Sequence, residues 1–239
     1  MDFDIPAEIR ATLDALDAFI EAEIEPLRAA DDNIRFFDHR REWARTDGAL
    51  GQLRRILGEQ PEGLDRAVSL LRQATEGLRP EGKPLFAGLV AQGLPGEPLA
   101  DAWRLADRLR EYRGDVHVKA WTGAGFDATE IGLVTELYWG LPMRTYIRTR
   151  AWSDADLDAA EARLVERGLV ADGALTDQGR AAREAVEVAT DAACQPIVAA
   201  LGDDVDELVS ILRGWSTQIQ AERGYPAAGL HDLAGLSRP

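Results

Sequence analysis

The chain has little of what a secreted or membrane-spanning protein needs. Its 239 residues contain one cysteine, Cys194, which cannot form an internal disulfide and fits a reducing compartment. The first residues, MDFDIPAEIR, lack the basic and then apolar layout of a signal peptide. No apolar run reaches the ~18 residues that a membrane helix requires. These absences predict a cytoplasmic protein without a membrane partner.

Metal, cofactor and catalytic motifs are missing as well. The three histidines, His39, His117 and His231, lie far apart, and no HExxH or CxxC spacing is present. A GxGxxG after a strand, a GxxxxGK[ST] loop and a GxSxG elbow are also absent. The sequence therefore predicts no metal site and no cofactor. The sequence does not decide whether the protein is an enzyme, but it favours a protein without catalytic activity.

Basic residues are the minority, with 27 Lys and Arg against 42 Asp and Glu and a formal net charge of −15. Duplex DNA is a polyanion that is bound by clustered cations, so this balance counts against DNA binding but leaves room for a local basic patch. Alanine, leucine, arginine and the acidic residues dominate the composition. That mixture favours helices, and it predicts a mainly α fold.

The clearest structural pattern is LVERGLVADGALTDQGR, residues 164–180. A helix that Ser153 can cap ends here, a short hairpin follows around Asp172-Gly173, and Thr176 can cap a second, long helix. The pattern resembles the winged helix of MarR-type proteins. The resemblance implies a helical bundle with a winged-helix half that carries one short β-hairpin near residues 169–175.

A wider resemblance covers about residues 53–219. It depends on PEGKPLFAGL at 80–89 and LREYRGDVHVKA at 109–120. These stretches resemble an uncharacterised, mostly actinobacterial helical family whose second half is MarR-like. Members of that family usually read LREHRGDGHVAAL in the second stretch, where this chain has Tyr112 in place of the first histidine and Val116 in place of the second glycine.

The N-terminal residues carry a different resemblance. The segment FFDHRREWARTD, residues 36–47, follows an amphipathic helix expected at about 6–30. Together they resemble the N-terminal helices of bacterial acyl-CoA dehydrogenases. The resemblance covers residues 1–47 and implies an inherited helical piece without dehydrogenase activity.

The domain organisation expected from these patterns has four parts. They are N-terminal helices at 1–47, a helical connector at 48–98, a winged-helix-like domain at 99–220 and a flexible tail at 221–239. Four prolines and four glycines between 79 and 98 predict a connector around a short turn at 85–90.

The charge of the expected recognition helix argues against the usual function of a winged helix. In MarR-type proteins the helix before the hairpin enters the major groove, and the wing contacts phosphates. Residues 154–167 carry a net charge of −3, and the wing, residues 171–173, has no cation. Acidic side chains that face phosphates repel them. If DNA binds at all, the candidate contacts are Arg144, Arg148, Arg150 and Arg163.

The best candidates for a catalytic or ligand-binding site are Arg113, Asp115 and His117. Gly114 is expected to break the helix here, so that Asp115 either orients the imidazole or caps the helix that follows. His117 could exchange protons near neutral pH. In the structural alternative, Arg113 and Asp115 pair across the break and His117 is a hydrogen-bonded partner.

Three hypotheses about function remain. The leading one is a non-catalytic, ligand-sensing or protein-interaction module on a winged-helix scaffold that has lost DNA binding. Its partner would be a small molecule or a second copy of the chain, and duplex DNA is not expected. The alternatives are a DNA-binding transcriptional regulator of MarR type and a small-molecule enzyme with a site around Arg113, Asp115 and His117.

Overall fold

The computed structural model describes residues 39–222 and the isolated positions 15, 18 and 22, without the side chains of 39–46, Arg148 and Thr149. Apart from those three positions, the helix expected at about 6–30 lies outside the described residues, as does all but the start of the tail expected at 221–239. The chain divides into two compact units, residues 1–52 and residues 53–239. All contacts discussed below lie within the second unit.

The described part is mainly helical, with one two-stranded antiparallel sheet, as the composition and the hairpin pattern predict. Two short 3-10 helices lie at Ile147–Arg150 and Gly202–Asp204. The elements in chain order are α1 (His39–Leu57), α2 (Leu64–Glu76), α3 (Pro84–Ala91), α4 (Pro98–Gly123), α5 (Ala128–Tyr138), α6 (Asp154–Glu166), β1 (Val170–Ala171), β2 (Ala174–Leu175), α7 (Asp177–Leu201) and α8 (Val205–Ala221).

The hairpin and the two helices around it form from local signals. Ser153 and Asp156 make a capping box at the start of α6, and the Thr176 side chain accepts the N–H of Gly179 at the start of α7. Between the helices β1 and β2 pair antiparallel around Asp172 and Gly173, whose φ angles are 50° and 74°. Left-handed conformations at both turn residues define the tight hairpin that the Asp-Gly pair predicts.

The expected break at Gly114 is wrong. Helix α4 runs without interruption from Pro98 to Gly123, and its sides pack against α2, α3 and α7. An interior glycine costs a helix roughly 1 kcal/mol, which is less than the burial of residues such as Leu105 and Val116 contributes. Asp115 consequently lies inside α4 and does not cap a new helix.

Two apolar clusters pack around α7. One joins α5, α6, the hairpin and the first half of α7, and the other joins α3, the middle of α4 and the second half of α7. The buried members of the first are Phe126, Ile131, Leu133, Val134, Ile147, Leu157, Ala160, Leu164, Leu169, Val170 and Val186, and those of the second are Leu78, Phe86, Tyr112 and Val116.

Candidate functional site

A buried carboxylate organises the turn between α5 and α6. The side chain of Glu136, in a residue only 2% exposed, accepts the backbone N–H groups of Arg144 and Ile147 at 2.6 Å each and that of Tyr146 at 2.5 Å. Buried N–H groups need an acceptor, and this turn supplies none from its own backbone ladder. One side chain therefore fixes the path of the chain into α6.

Close packing at Gly132 brings the same turn against α5. A Cβ atom at Gly132 would lie 2.1 Å from Cδ1 of Ile147, far inside van der Waals contact. Ile147 is buried in the first apolar cluster. The glycine therefore sets how closely the turn approaches α5, and with it the position of α6.

Arg144, the first candidate DNA contact, is bound to α6. Its Nη2 lies 2.6 Å from Oδ1 of Asp158 and 2.8 Å from Oε2 of Glu161. Both carboxylates belong to α6, the helix expected from the sequence at the position of a recognition helix. The hydrogen bonds to them raise the pKa of the guanidinium, and the side chain serves as an internal counter-ion for α6.

Arg163 and its neighbour Arg167 are bound in the same way, to the start of α5. Glu130, in a residue 3% exposed, accepts Nε of Arg163 at 3.0 Å and Nη1 of Arg167 at 2.8 Å. Arg163 Nη2 also pairs with Asp127, the N-cap of α5. The Arg167 guanidinium lies 4.9 Å from the centroid of the Phe126 ring. Both arginines of this segment are therefore engaged by α5 and the loop before it.

The remaining candidate DNA contacts add little positive charge to the surface around α6. Arg150 is exposed, and its Nη2 donates to the hydroxyl of Tyr146 at 2.8 Å while the guanidinium lies over the Tyr146 ring. The side chain of Arg148 lies outside the described residues. The hairpin tip presents Asp172. On the exposed face of α6, Asp154 and Glu166 face solvent.

Arg113, Asp115 and His117 lie on one helix, but they are not brought together. Asp115 faces α3, where its carboxylate accepts the N–H of Phe86 at 2.9 Å and that of Leu85 at 3.4 Å. These are orphan donors of the first turn of α3, whose own N-cap residue, Lys83, makes no side-chain cap. Asp115 thus caps a neighbouring helix.

Arg113 faces α7 in a chain of ion pairs. Its Nη2 lies 3.0 Å from Oε2 of Glu187, and Oε1 of the same carboxylate lies 2.6 Å from Arg183. Arg183 and Glu187 are buried, and the Arg183 guanidinium also lies 5.1 Å from the centroid of the Tyr138 ring. Shared hydrogen bonds offset the cost of burying these charges, so the chain ties α4 to α7.

His117 also faces α7. Its Nδ1 lies 3.0 Å from the hydroxyl oxygen of Thr190, and that hydroxyl donates its one proton to the carbonyl of Val186 at 2.7 Å. Nδ1 therefore carries the imidazole proton and donates it. Burial lowers the pKa of His117, the charges of Arg183 and Arg113 lower it further, and Glu187 opposes them. Such a group is neutral at physiological pH.

An open groove of about 490 Å3 lies between the start of α3, the second half of α4 and the middle of α7, and we call it the α4–α7 groove. Its floor is mainly apolar and its rim carries charged side chains. The lining residues are Glu81, Gly82, Lys83, Tyr112, Asp115, Val116, Lys119, Ala120, Gly123, Ala189 and Ala193. Of the three predicted site residues, Asp115 lines the groove, whereas Arg113 and His117 do not.

A second groove of about 420 Å3 lies between α2 and α8. Its cation, Arg66, lies 2.6 Å from Glu207 and 2.9 Å from Asp204. The Nε1 of Trp215, which also lines it, donates to the carbonyl of Glu62 at 2.9 Å. Arg66 and Trp215 are thus committed to holding α8 near α2, so this groove offers an anion less than the α4–α7 groove does.

Sequence reasoning missed three important residues. In the sequence, Glu130 and Glu136 lie between the apolar positions of an amphipathic helix, where acidic side chains are ordinarily solvated. Lys83 lies in the segment that was expected to be a connector. Their roles depend on partners up to 37 residues away, as in the pair of Glu130 with Arg167. A usable signal was present for Lys83, because lysine is scarce in a chain so rich in arginine.

Within residues 47–222, no cluster of three or more His, Cys, Asp or Glu side chains is arranged to hold a metal ion. None of the helices described here is long and apolar enough to cross a membrane. Cys194 packs against the second apolar cluster, and burial raises the pKa of its thiol above the ordinary value. It therefore has the properties of a packing residue.

Comparison with known protein families gives a match over most of the chain. The model of a Helix-turn-helix family matches residues 38–226, which includes α5, the turn held by Glu136, α6 and the hairpin. No curated protein and no solved structure matches the chain. The match gives no support to the acyl-CoA dehydrogenase resemblance of residues 1–47. The match extends over most of the length of the chain, and the chain therefore belongs to this Helix-turn-helix family.

Proposed function

We propose that this chain is a ligand-sensing or protein-interaction module that retains the helix-turn-helix scaffold and does not bind duplex DNA through α6. The observation that carries the proposal is the commitment of cations around α6. Arg144, Arg163 and Arg167 each contact one or two carboxylates, and two of those carboxylates belong to α6 itself.

Recruiting these arginines to phosphates would be unfavourable. If Arg144 turned to a phosphate, it would leave Asp158 and Glu161 without their counter-ion and beside a second negative group. If Arg163 and Arg167 turned, Glu130 would be left buried and unpaired, which costs several kcal/mol. DNA affinity depends on cations that are free to replace condensed counter-ions, and α6 has none among its described side chains.

A DNA-binding regulator remains the second candidate function, because the chain belongs to a Helix-turn-helix family. Arg150 is the described cation best placed for it, since it is exposed and precedes α6. This function would require contacts from outside α6.

The test is a binding selection with random 30-base-pair duplexes at about 100 mM salt, followed by fluorescence anisotropy. We expect no enriched sequence and no saturable binding of the unmodified protein. A variant with Asp154→Lys, Ala162→Lys and Glu166→Lys changes three exposed positions and should gain salt-sensitive, non-specific affinity. A selected sequence that binds the unmodified protein tightly, and loses affinity with Arg150→Ala, would show that the chain is a DNA-binding regulator.

A further inference from the structure

The two lysines of this chain lie in one place. Among 27 basic residues only Lys83 and Lys119 are lysine, and the other 25 are arginine. Lys83 precedes α3 and Lys119 is on α4, 36 positions further along the sequence. Both line the α4–α7 groove, and no arginine lines it. The packing of α3 on α4 therefore brings both lysine side chains of the chain to one groove.

The groove has an apolar floor beneath these cations. Tyr112 and Val116 are buried members of the second apolar cluster, and Ala120, Ala189 and Ala193 continue the surface between α4 and α7. The rings of Tyr112 and Phe86 meet edge to face at 5.3 Å, which fixes the Tyr112 ring that lines the groove. An aromatic or alkyl body could bury apolar surface here.

Lys83 is held in place by its surroundings. Its Nζ donates to the carbonyl of Arg79 at 3.0 Å and to that of Glu81 at 3.4 Å, and it lies 4.9 Å from the centroid of the Tyr112 ring. An ammonium group has three N–H donors. Two are used by carbonyls, which leaves the third for an anion in the groove.

The acidic groups of the groove are already satisfied. Asp115 accepts two N–H groups of α3, and the helix dipole at that end further offsets its charge. Glu81 lies at the rim 3.5 Å from Arg79 in an exposed pair. Both acidic groups thus have partners within the protein, whereas the two ammonium groups keep N–H donors for a ligand, and these favour a negative group.

We propose that the α4–α7 groove binds a small amphipathic carboxylate, with its carboxylate between Lys83 and Lys119 and its apolar body over Tyr112 and Val116. A polyanion is disfavoured because only two cations line the groove and both are point charges. The proposal rests on the ligand-sensing part of the proposed function. The position of the groove on α4 and α7 separates it from the surface of α6.

The scarcity of lysine gives a direct test. Protein labelled with 13C-lysine has two Cε signals, so NMR reports the groove without interference from other lysines. 2-Naphthoate and decanoate are the probes, and their uncharged amides are the controls. We expect both Cε signals to shift along one saturation curve with at least one of the acids, and the matching amide to bind about tenfold more weakly.

Variants assign the effect to the two cations. Lys119→Gln changes an exposed side chain and should leave the fold intact, and Lys83→Gln removes the held ammonium group. Measured by isothermal titration, each should weaken the acid several-fold, and the double variant about tenfold or more. Arg110→Gln removes an exposed α4 cation outside the groove and should leave the affinity unchanged.

The inference is overturned if neither acid moves the Cε signals, if acid and amide bind equally well, or if Arg110→Gln weakens the acid as much as Lys119→Gln does. These results are independent of the DNA experiment. A protein that binds neither acid nor DNA contradicts the groove assignment and leaves the account of α6 standing. A protein that binds both contradicts the account of α6 alone.

Discussion

The turn before α6 and the α4–α7 groove both contain backbone N–H groups that need a side-chain acceptor, but the two regions differ in the charged groups that remain unpaired at the surface. In each, a buried carboxylate accepts backbone N–H groups from a neighbouring segment, Glu136 at the turn and Asp115 at the start of α3. Around α6, Arg144, Arg163 and Arg167 are paired with carboxylates, whereas at the groove the lysines retain unused donors. In our proposal, the charges that are already paired decide which ligand each surface accepts, and the net charge of the chain does not.

The largest effect should come from Glu136→Ala. It leaves the N–H groups of Arg144, Tyr146 and Ile147 without their acceptor, the last of them buried and the other two part-buried, and a buried, unsatisfied group costs about 1–3 kcal/mol. We expect the free energy of unfolding, measured with urea, to fall by about 4 kcal/mol. Glu166→Ala, at an exposed position on α6, is the control and should change it by less than about 0.5 kcal/mol. A loss below ~1 kcal/mol for Glu136→Ala would contradict the anchoring role.

Asp115→Ala should cost less, about 2 kcal/mol, because one strong and one longer N–H contact are lost. Amide exchange at Leu85 and Phe86 should accelerate, since the first turn of α3 loses its cap. Glu111→Ala removes a half-buried partner of the exposed Arg110 on the same helix and serves as the control. Unchanged exchange at Phe86 would show that Asp115 does not hold the groove's wall.

A pair of glycine substitutions separates close packing from helix propensity. Gly132→Ala should destabilise the protein by about 1–3 kcal/mol, because the new Cβ meets Ile147. Gly214→Ala, on α8, has open space around the new Cβ and should be neutral or stabilise by up to ~1 kcal/mol. Thermal unfolding of both variants measures the difference. Equal effects would mean that the turn can move away from α5.

The smallest effect should be a pH dependence from His117. Its pKa is lowered in the folded protein, chiefly by burial, so the unfolded chain binds more protons below the ordinary value of about 6.5. Stability from this group is complete above that value and is lost as pH falls towards the lowered pKa. The unfolding free energy of the unmodified protein should therefore fall more between pH 7.5 and 5.5 than that of His117→Gln. Parallel changes in the two proteins would contradict this assignment.

The parts of the fold that the sequence predicts are those decided within a few residues. The caps at Ser153 and Thr176 and the Asp172-Gly173 turn each depend on partners at most five positions away, and all three formed. The winged-helix pattern built from them led to the correct family type.

The parts that could not be predicted depend on distant partners. Gly114 looks like a helix break, but packing of α4 on three other helices outweighs its propensity. The expected connector turn is the helix α3, whose cap comes from Asp115, about 30 positions away. The sequence spacing also suggested that Arg113, Asp115 and His117 form one site. In the structure Asp115 contacts α3, whereas Arg113 and His117 contact α7. Whether any of the three has a catalytic role stays a prediction.

The unbroken course of α4 has a mechanical consequence. A 26-residue helix extends about 39 Å, and no hinge interrupts this one between Tyr112 and Trp121. Tyr112 belongs to the cluster beside the groove, whereas Trp121 packs on the cluster that contains Ile147 and Leu164. Because α4 is uninterrupted, a displacement of α4 at the groove would also move its C-terminal part, including Trp121, against the apolar cluster beneath α6. Occupancy of the groove should be detectable as altered Trp121 fluorescence, more than two helical turns away.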